Sequence, residues 1–153
     1  MEFSDFAAIT RLRYQYAYSL DSRDWELHRQ LYTEQIEMDF SSYSGGDGAV
    51  RMEADAWVDG LKPLFSGLSA TQHVMTNPLV DVQGDRATQK MYMQAEHFLL
   101  EDGVQREFAI GGYYDDQLRR TATGWRIEAV KLTVLWRRGD AEIMVRARQL
   151  SGA

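Results

Sequence analysis

The sequence contains no cysteine, and only three of its 153 residues are histidine. Without cysteine the chain cannot form disulfide bonds, use a thiolate nucleophile or hold a metal through sulfur. The histidines also lack the HExxH spacing that is typical of a zinc site. We therefore expect no metal and no other cofactor.

The sequence also lacks an excess of positive charge. Its formal net charge is -6 at pH 7, which argues against nucleic acid as a partner because phosphate backbones are bound mainly by basic side chains. The two basic clusters, Arg119-Arg120 and Arg137-Arg138, fall at the ends of predicted strands. We interpret them as solvated strand ends.

Long apolar runs are absent as well. No stretch approaches the roughly 20 apolar residues that a membrane-spanning helix needs, and residues 1–6 are acidic where a secretory signal is basic. We expect a cytoplasmic protein with no membrane partner. The length predicts one domain over residues 1–153, which buries roughly two thirds of its unfolded surface and has room for a small cavity.

The order of the predicted elements indicates the fold class. Helical patterns cover residues 4–22, 24–32 and 53–66, and Pro63 is expected to bend or shorten the third. Strand patterns cover residues 35–43, 71–77, 79–83, 86–100, 105–119 and 125–137, with Pro78 interrupting the second and third. Helices followed by long antiparallel strands predict an α+β fold with helices on one face of a curved sheet.

Two histidines fall at inward positions of these strands. His97 shares one face of the strand over residues 86–100 with apolar residues, namely Met91, Met93, Ala95 and Leu99. A histidine on such a face needs a hydrogen-bond partner, since an unpaired buried polar group costs about 1 to 3 kcal/mol. His73 shares the face of the shorter strand with Thr71, Met75 and Asn77.

One aspartate lies on an aromatic stripe of the first helix. Tyr14, Tyr18 and Asp21 are spaced i, i+4 and i+7, so they lie on the same face. This placement favours an Asp21 that meets the histidines in a pocket. The alternatives are that Asp21 caps the next helix or belongs to a turn, and that each histidine is a satisfied core residue. His28, beside Glu26 and Arg29, is interpreted as a surface residue.

Several short motifs resemble those of the nuclear transport factor 2-like superfamily, in its SnoaL-like branch. The resemblance covers nearly the whole chain. The motifs are Tyr18-Ser19-Leu20-Asp21 with Asp24-Trp25, the strand over residues 36–40, Thr71-Gln72-His73 with Asn77, Gly84-Asp85-Arg86-Ala87, Gly111-Gly112-Tyr113-Tyr114-Asp115 and Gly124-Trp125-Arg126-Ile127. The resemblance implies a cone-shaped, mostly antiparallel sheet, an α+β barrel wrapped around N-terminal helices.

Within that superfamily the chain looks most similar to the scytalone dehydratase, bile acid 7α-dehydratase and hexachlorocyclohexane dehydrochlorinase group. Such enzymes are commonly trimers and eliminate water or HCl through an Asp-His pair, to which Asp21 and His73 correspond. His97 corresponds to a second histidine that assists the leaving group. The chain departs from the group where tyrosines hold a water, since Leu20 and Phe40 stand there. Tyr18 or Tyr43 are the candidates to replace them.

The leading hypothesis is a cofactor-free lyase, dehydratase-like, or isomerase acting on a small hydrophobic, cyclic or polyketide-like molecule. His73 is the base, Asp21 orients it, His97 donates to the leaving group and Tyr18 polarises a carbonyl. The expected substrate-binding residues are Tyr14, Met38, Phe40, Met75, Met91 and Met93. For the methionines the alternative is simple core packing.

Two other functions remain open. The first is a non-catalytic module of the same fold that binds a hydrophobic ligand or builds an oligomer. The second is an epoxide hydrolase, for which the chain supplies Asp39, Asp81, Asp115 and Arg126 without the expected spacing. The last strand is apolar on both faces, which predicts a homo-oligomer, dimer or trimer. Residues 139–153 fit an amphipathic helix over the cavity mouth, a strand, or a tail that crosses to a neighbour.

Overall fold

The computed structural model describes residues 2–152, so the first and last residues of the predicted domain lie outside the described part. Five helices and six strands are present there. In chain order they are α1 (Phe3–Ser22), α2 (Trp25–Gln30), β1 (Tyr32–Asp39), α3 (Ser41–Ser44), β2 (Val50–Glu53), α4 (Ala54–Gly67), β3 (Ala70–Gln83), β4 (Arg86–Glu101), β5 (Val104–Thr121), β6 (Gly124–Gly139) and α5 (Glu142–Leu150).

The six strands form one sheet in the order β2-β1-β6-β5-β4-β3. Every pairing is antiparallel except that of β1 with β6. The α+β class and the curved, mostly antiparallel sheet are confirmed. The sheet does not close into a barrel, because β2 and β3 remain as its two edges within the described residues. The core lies between the inner sheet face and helices α1, α4 and α5.

Strand β4 follows the predicted alternation. Met91, Met93, Ala95, His97 and Leu99 are all buried, while the residues between them are exposed or half-buried. This pattern is that of a strand with one face on a core and the other on the surface. The predicted inward direction of His97 is confirmed.

Strand β3 differs from its prediction in being continuous. The pairing of β3 with β4 shifts register between Thr76 and Leu79, and Asn77 adopts a positive φ of 56°. Pro78 has no backbone N–H to give to the ladder, and a local bulge places it without ending the strand. The two predicted strands are therefore one bent strand.

The segment after β1 also differs from its prediction. The strand was expected to reach residue 43, but it ends at Asp39 and a short helix follows. The Asp39 carboxylate accepts hydrogen bonds from the Ser41 backbone N–H at 3.1 Å and from its hydroxyl at 2.6 Å. Such a local bond turns the chain out of the sheet. In α4, Pro63 does not shorten the helix, which continues to Gly67.

The C-terminal segment forms helix α5, the first of its three predicted alternatives. It packs on α4 at a close approach, because a Cβ on Gly67 would clash with the backbone carbonyl of Ala147. Ile143 and Ala147 are fully buried beneath it. Among the helices of the described residues, none is long and apolar enough to cross a membrane.

Candidate active site

A cavity of about 410 Å³ lies between the inner sheet face and helices α4 and α5. Its wall is mostly apolar and carries two histidines and two buried tyrosines. The main lining residues are Tyr16, Phe40, Trp57, Leu61, Phe65, His73, Met93, His97, Ile110, Tyr114, Leu132 and Met144. Its size and its few polar groups are typical of a site for a small hydrophobic molecule.

Asp21 and His73 form a hydrogen-bonded pair at the wall of this cavity. Their contact joins His73 Nδ1 and Asp21 Oδ1 at 2.7 Å. The Asp21 carboxylate also accepts from the His73 backbone N–H at 2.8 Å and from the Thr71 hydroxyl at 2.9 Å. Because a carboxylate only accepts, the proton of a neutral His73 ring lies on Nδ1 and the lone pair on Nε2.

The end of α1 is built to hold this carboxylate. Arg23, the helix C-cap, has a positive φ of 61°, a conformation that costs a non-glycine residue roughly 1 to 2 kcal/mol. Its guanidinium donates to the carbonyls of Leu20 and Asp21 and to the Thr71 hydroxyl, each at 2.9 Å. Arg23 thereby fixes Thr71, which in turn donates to Asp21.

These contacts keep Asp21 ionised. Burial raises the pKa of the Asp21 carboxyl, but the hydrogen bonds from His73 and Thr71 and the charge of His73 outweigh burial and lower the pKa below its ordinary value. The Asp21 side chain is 24% exposed, whereas that of His73 is 4% exposed. The carboxylate therefore lies behind the imidazole, on the solvent side of the pair.

His97 faces the same cavity, but its ring nitrogen there accepts a hydrogen bond, whereas the prediction was that it donates one. Its Nδ1 lies 3.0 Å from the carbonyl oxygen of Phe108, so Nδ1 carries the proton and Nε2 the lone pair. Burial, followed by the charge of His73, lowers the pKa of His97 to about 4 despite the bond to Phe108. At neutral pH His97 accepts hydrogen bonds through Nε2, so the expected donation to a leaving group would require protonation.

Two buried tyrosines that sequence reasoning missed also line the cavity. Their hydroxyl oxygens, Tyr16 Oη and Tyr114 Oη, lie 3.2 Å apart. The Arg13 guanidinium lies 3.7 Å from the Tyr114 ring centre and 4.6 Å from that of Tyr16. Arg13 is fully buried and paired through two hydrogen bonds with Asp116. Burial lowers the pKa of Arg13, but the Asp116 charge outweighs it, so Arg13 stays charged.

The proposed substrate-binding residues are divided among three places. Phe40 and Met93 line the cavity. Met38 and Met91 lie in the packed core and do not line it, which agrees with the core-packing alternative for these two methionines. The remaining proposed residues, Tyr14, Met75 and the catalytic candidate Tyr18, border a separate hollow of about 450 Å³, which Asp21 and His73 also line.

The prediction that Tyr18 faces the substrate is corrected by this position. Tyr18 is 76% exposed as a residue, and Tyr14 is 43% exposed. The inner stripe of α1 is the one that contains Tyr16 and Leu20, which are 4% and 1% exposed. Asp21 contacts His73 on β3 because it lies in the last turn of α1, directly after the buried Leu20. Tyr43, the other candidate replacement, does line the cavity.

His28 is fully buried, so its interpretation as a surface residue is wrong. The Ser19 hydroxyl donates to the Tyr16 carbonyl at 3.0 Å and lies 2.8 Å from His28 Nδ1, which therefore donates to Ser19. The Tyr32 hydroxyl lies 3.3 Å from Nε2. Burial, together with the positive charge of Arg13, lowers the pKa of His28 to about 3. This neutral ring packs against Tyr16, with ring centres 5.1 Å apart.

The residues considered for epoxide hydrolysis are not assembled at the cavity. Asp39, Asp81 and Asp115 border a separate groove of about 690 Å³, and Arg126 bonds to the turn at Thr123. Over residues 2–152, no group of three or more metal-ligating side chains is close enough to hold an ion.

Comparisons with known proteins agree with this architecture. An M. tuberculosis protein, "Uncharacterized protein Rv2910c", is 28% identical over 126 residues, 82% of either chain. The structure of Kfla4162 from Kribbella flavida aligns with a TM-score of 0.85 at 31% identity, over 93% of this chain and 97% of that one. Hexachlorocyclohexane dehydrochlorinase LinA-type3 from Novosphingobium barchaimii aligns with a TM-score of 0.72 at 16% identity, over 91% and 92% of the chains. The model of the SnoaL-like domain matches residues 1–131, and the chain therefore belongs to the SnoaL-like family.

Proposed function

We propose that the protein is a cofactor-free lyase, dehydratase-like, or isomerase that removes a proton from carbon in a small hydrophobic cyclic molecule. The observation that carries this proposal is the 2.7 Å contact between His73 Nδ1 and Asp21 Oδ1 at the wall of an apolar cavity. The same cavity contains the lone pair of His97. The fold shared with a dehydrochlorinase supports an elimination reaction.

In this mechanism His73 Nε2 takes the proton while the C–H bond breaks. The electron pair of that bond moves toward the adjacent activating group. In an elimination this electron pair then forms the C=C bond while the leaving group departs from the next carbon with its bonding pair, and a departing hydroxyl takes the proton from the His73 imidazolium to leave as water. In an isomerisation the imidazolium returns the proton to a different carbon. The Asp21 carboxylate holds the Nδ1–H tautomer and stabilises the imidazolium that forms. His97 accepts a hydrogen bond from a hydroxyl of the substrate.

Proton abstraction can be measured before the natural substrate is known. The probe is 2-tetralone, a small cyclic ketone with acidic protons next to its carbonyl, whose exchange in D₂O is followed by NMR. We expect His73→Ala and Asp21→Asn to reduce the protein-dependent exchange by about 10² to 10⁴-fold, the usual contribution of a positioned base. His97→Gln is expected to have a milder effect.

The matched control is Gln72→Ala, which alters the exposed neighbour of His73 on β3 and is expected to leave exchange unchanged. Exchange that is equally fast in wild type and His73→Ala, with both proteins folded, would refute the assignment of His73 as the base. Exchange that is lost as completely in His97→Gln as in His73→Ala would make His97 the primary base.

The second candidate function is a non-catalytic module that binds an apolar ligand or builds an oligomer. Leu20 and Phe40 favour it, because these apolar residues stand where related enzymes have water-holding tyrosines. Leu135 and Trp136 also favour it, since they are 60% and 41% exposed on β6 and offer an apolar surface to a second copy. Binding of 2-tetralone without exchange, unaffected by His73→Ala, would support the binding module, and light scattering tests the oligomer.

A further inference from the structure

The cavity that contains His73 and His97 is lined by one side chain with a permanent charge. This residue is Arg148, on α5. Among residues 2–152, no aspartate or glutamate lines the cavity, although the chain as a whole has a formal net charge of -6. The cavity is therefore an exception to the overall charge of the protein. A guanidinium without nearby carboxylates favours a ligand that has a negatively charged group.

Arg148 is not engaged by another partner. Arg146, two residues earlier on α5, is paired with Glu101 at 3.0 Å and with Asp140 at 2.8 Å. By contrast, the guanidinium of Arg148 is exposed to solvent and, within residues 2–152, makes no ion pair and no hydrogen bond. Its donors are available to a molecule in the cavity. A planar guanidinium with free donors matches a carboxylate, because it can donate two parallel hydrogen bonds to the two oxygens.

A second guanidinium lies beside the same cavity wall. Arg137, on β6, donates to the carbonyl oxygens of Ser42 and Tyr43 at 3.0 Å and 2.8 Å, and lies 5.2 Å from the ring centre of Tyr43. Tyr43 itself lines the cavity. Burial raises the pKa of the Tyr43 phenol, while the positive charges of Arg137 and Arg148 both act to lower it. Both guanidiniums therefore lie near this ring, and their potentials add there.

The buried and exposed parts of the cavity wall suit different parts of one molecule. The side chain of His73 is 4% exposed and His97 is buried, whereas Arg148 is exposed. The histidines thus lie on the inner side of the cavity and the guanidinium lies on the solvent side. A molecule whose ring fills the apolar part can keep an ionised group at the solvent side, where its desolvation costs little.

We propose that Arg148 binds an anionic group of the substrate, and that the substrate is a small cyclic carboxylate whose ring occupies the apolar part of the cavity. This proposal rests on the proposed function, since it concerns the molecule that His73 deprotonates. In the bound state the guanidinium donates to the carboxylate oxygens, and the ring presents the reacting C–H group to His73. A carboxylate has one negative charge, which this single free guanidinium matches.

The test uses two compounds of the same shape that differ in charge. They are 2-tetralone-6-carboxylate and 2-tetralone-6-carboxamide, which both keep the exchangeable protons of 2-tetralone. Calorimetry measures the affinity of each compound. For the wild type at low salt we expect the carboxylate to bind about three- to tenfold more tightly than the amide, the effect of a charge-assisted hydrogen bond that water partly screens. Raising the sodium chloride concentration to about 0.5 M should remove most of this preference.

Arg148→Met removes the charge and keeps most of the side-chain length. We expect the variant to bind the carboxylate as weakly as the amide. Its affinity for the amide should equal that of wild type, which also shows that α5 and the cavity are intact. The matched control is Arg11→Met, which makes the same change in net charge at an exposed position of α1 that does not line the cavity. This control should keep the preference for the carboxylate.

Three results would overturn the assignment of Arg148. They are equal affinity of the wild type for the two compounds, no binding of either, and a preference for the carboxylate that is as large in Arg148→Met as in wild type. Failure of this proposal is distinguishable from failure of the proposed function. A preference that depends on Arg148, without His73-dependent exchange of the carboxylate, removes only the proposed base. Exchange that depends on His73, with equal affinity for the two compounds, removes only the anion-binding role of Arg148.

Discussion

The neutral, buried His28 makes the stability of the protein depend on pH between pH 7 and pH 5, above the range in which most carboxyls titrate. Its pKa is about 3 in the folded chain, against an ordinary value of 6.5. Between these values the unfolded chain binds a proton that the folded chain does not. The free energy of unfolding therefore falls as the pH falls through this range, by about 1 kcal/mol per pH unit. Between pH 7 and pH 5 the loss is about 2 kcal/mol.

The perturbation that tests this estimate is His28→Gln, which removes the titrating group. We expect the variant to be less stable than wild type at pH 7, because the ring fills space between Tyr16 and Tyr32. The difference in the free energy of unfolding between wild type and the variant should be about 2 kcal/mol smaller at pH 5 than at pH 7. Urea unfolding at several pH values, followed by tryptophan fluorescence, measures both quantities.

The control is Gln30→Ala, which alters an exposed residue at the end of the same helix and should shift stability equally at every pH. His97→Gln should behave like His28→Gln, since the pKa of His97 is about 4. A deficit in His28→Gln that stays constant from pH 7 to pH 5 would refute the reasoning. It would mean that His28 is protonated in the folded chain as readily as in the unfolded one.

Two further predictions concern packing and buried charge. Gly67→Ala should cost about 1 to 3 kcal/mol in urea unfolding, because the new methyl group collides with the backbone of α5, whereas Gly60→Ala in the same helix meets open space and should be neutral or slightly stabilising. Asp116→Asn should cost about 3 to 5 kcal/mol by leaving Arg13 buried without its counter-charge. Asp115→Asn, which breaks an exposed pair with Lys90, should cost less than about 1 kcal/mol by the same measurement.

The sheet was predictable because its signal is repeated many times along the chain. Strand β4 alternates over 16 residues, and this pattern assigns His97 to the inner face. The bulge at Pro78 was not predictable in the same way, since a proline inside a strand pattern is compatible with a bulge and with a break between two strands. Strand β2 has four residues and, within residues 2–152, pairs with β1 alone, and its short pattern was not recognised.

The direction of side chains on helices was harder to predict. Helix α1 carries tyrosines on more than one face, at positions 14, 16 and 18, so periodicity alone did not show which stripe is buried. His28 lies on a helix of six residues, too short for a periodic pattern, and its polar neighbours suggested solvent. A useful signal was available in β5, where Asp116 alternates with the apolar positions Tyr114 and Leu118. An acidic residue in that register predicts a buried partner.

The Arg13-Asp116 pair is difficult to explain as a stabilising feature. Replacing a buried ion pair by apolar residues of similar size is often neutral or stabilising, so the fold alone does not require it. The Arg13 guanidinium lies 4.6 Å from the ring centre of Tyr16 and 3.7 Å from that of Tyr114, so the pair holds these two rings at the cavity wall. The double variant Arg13→Met with Asp116→Leu separates this positioning role from stability. We expect it to unfold at a urea concentration near that of wild type and to bind 2-tetralone more weakly, because the tyrosine rings are no longer held in place. A stable double variant that binds 2-tetralone as tightly as wild type would show that Arg13 only fills space behind the rings.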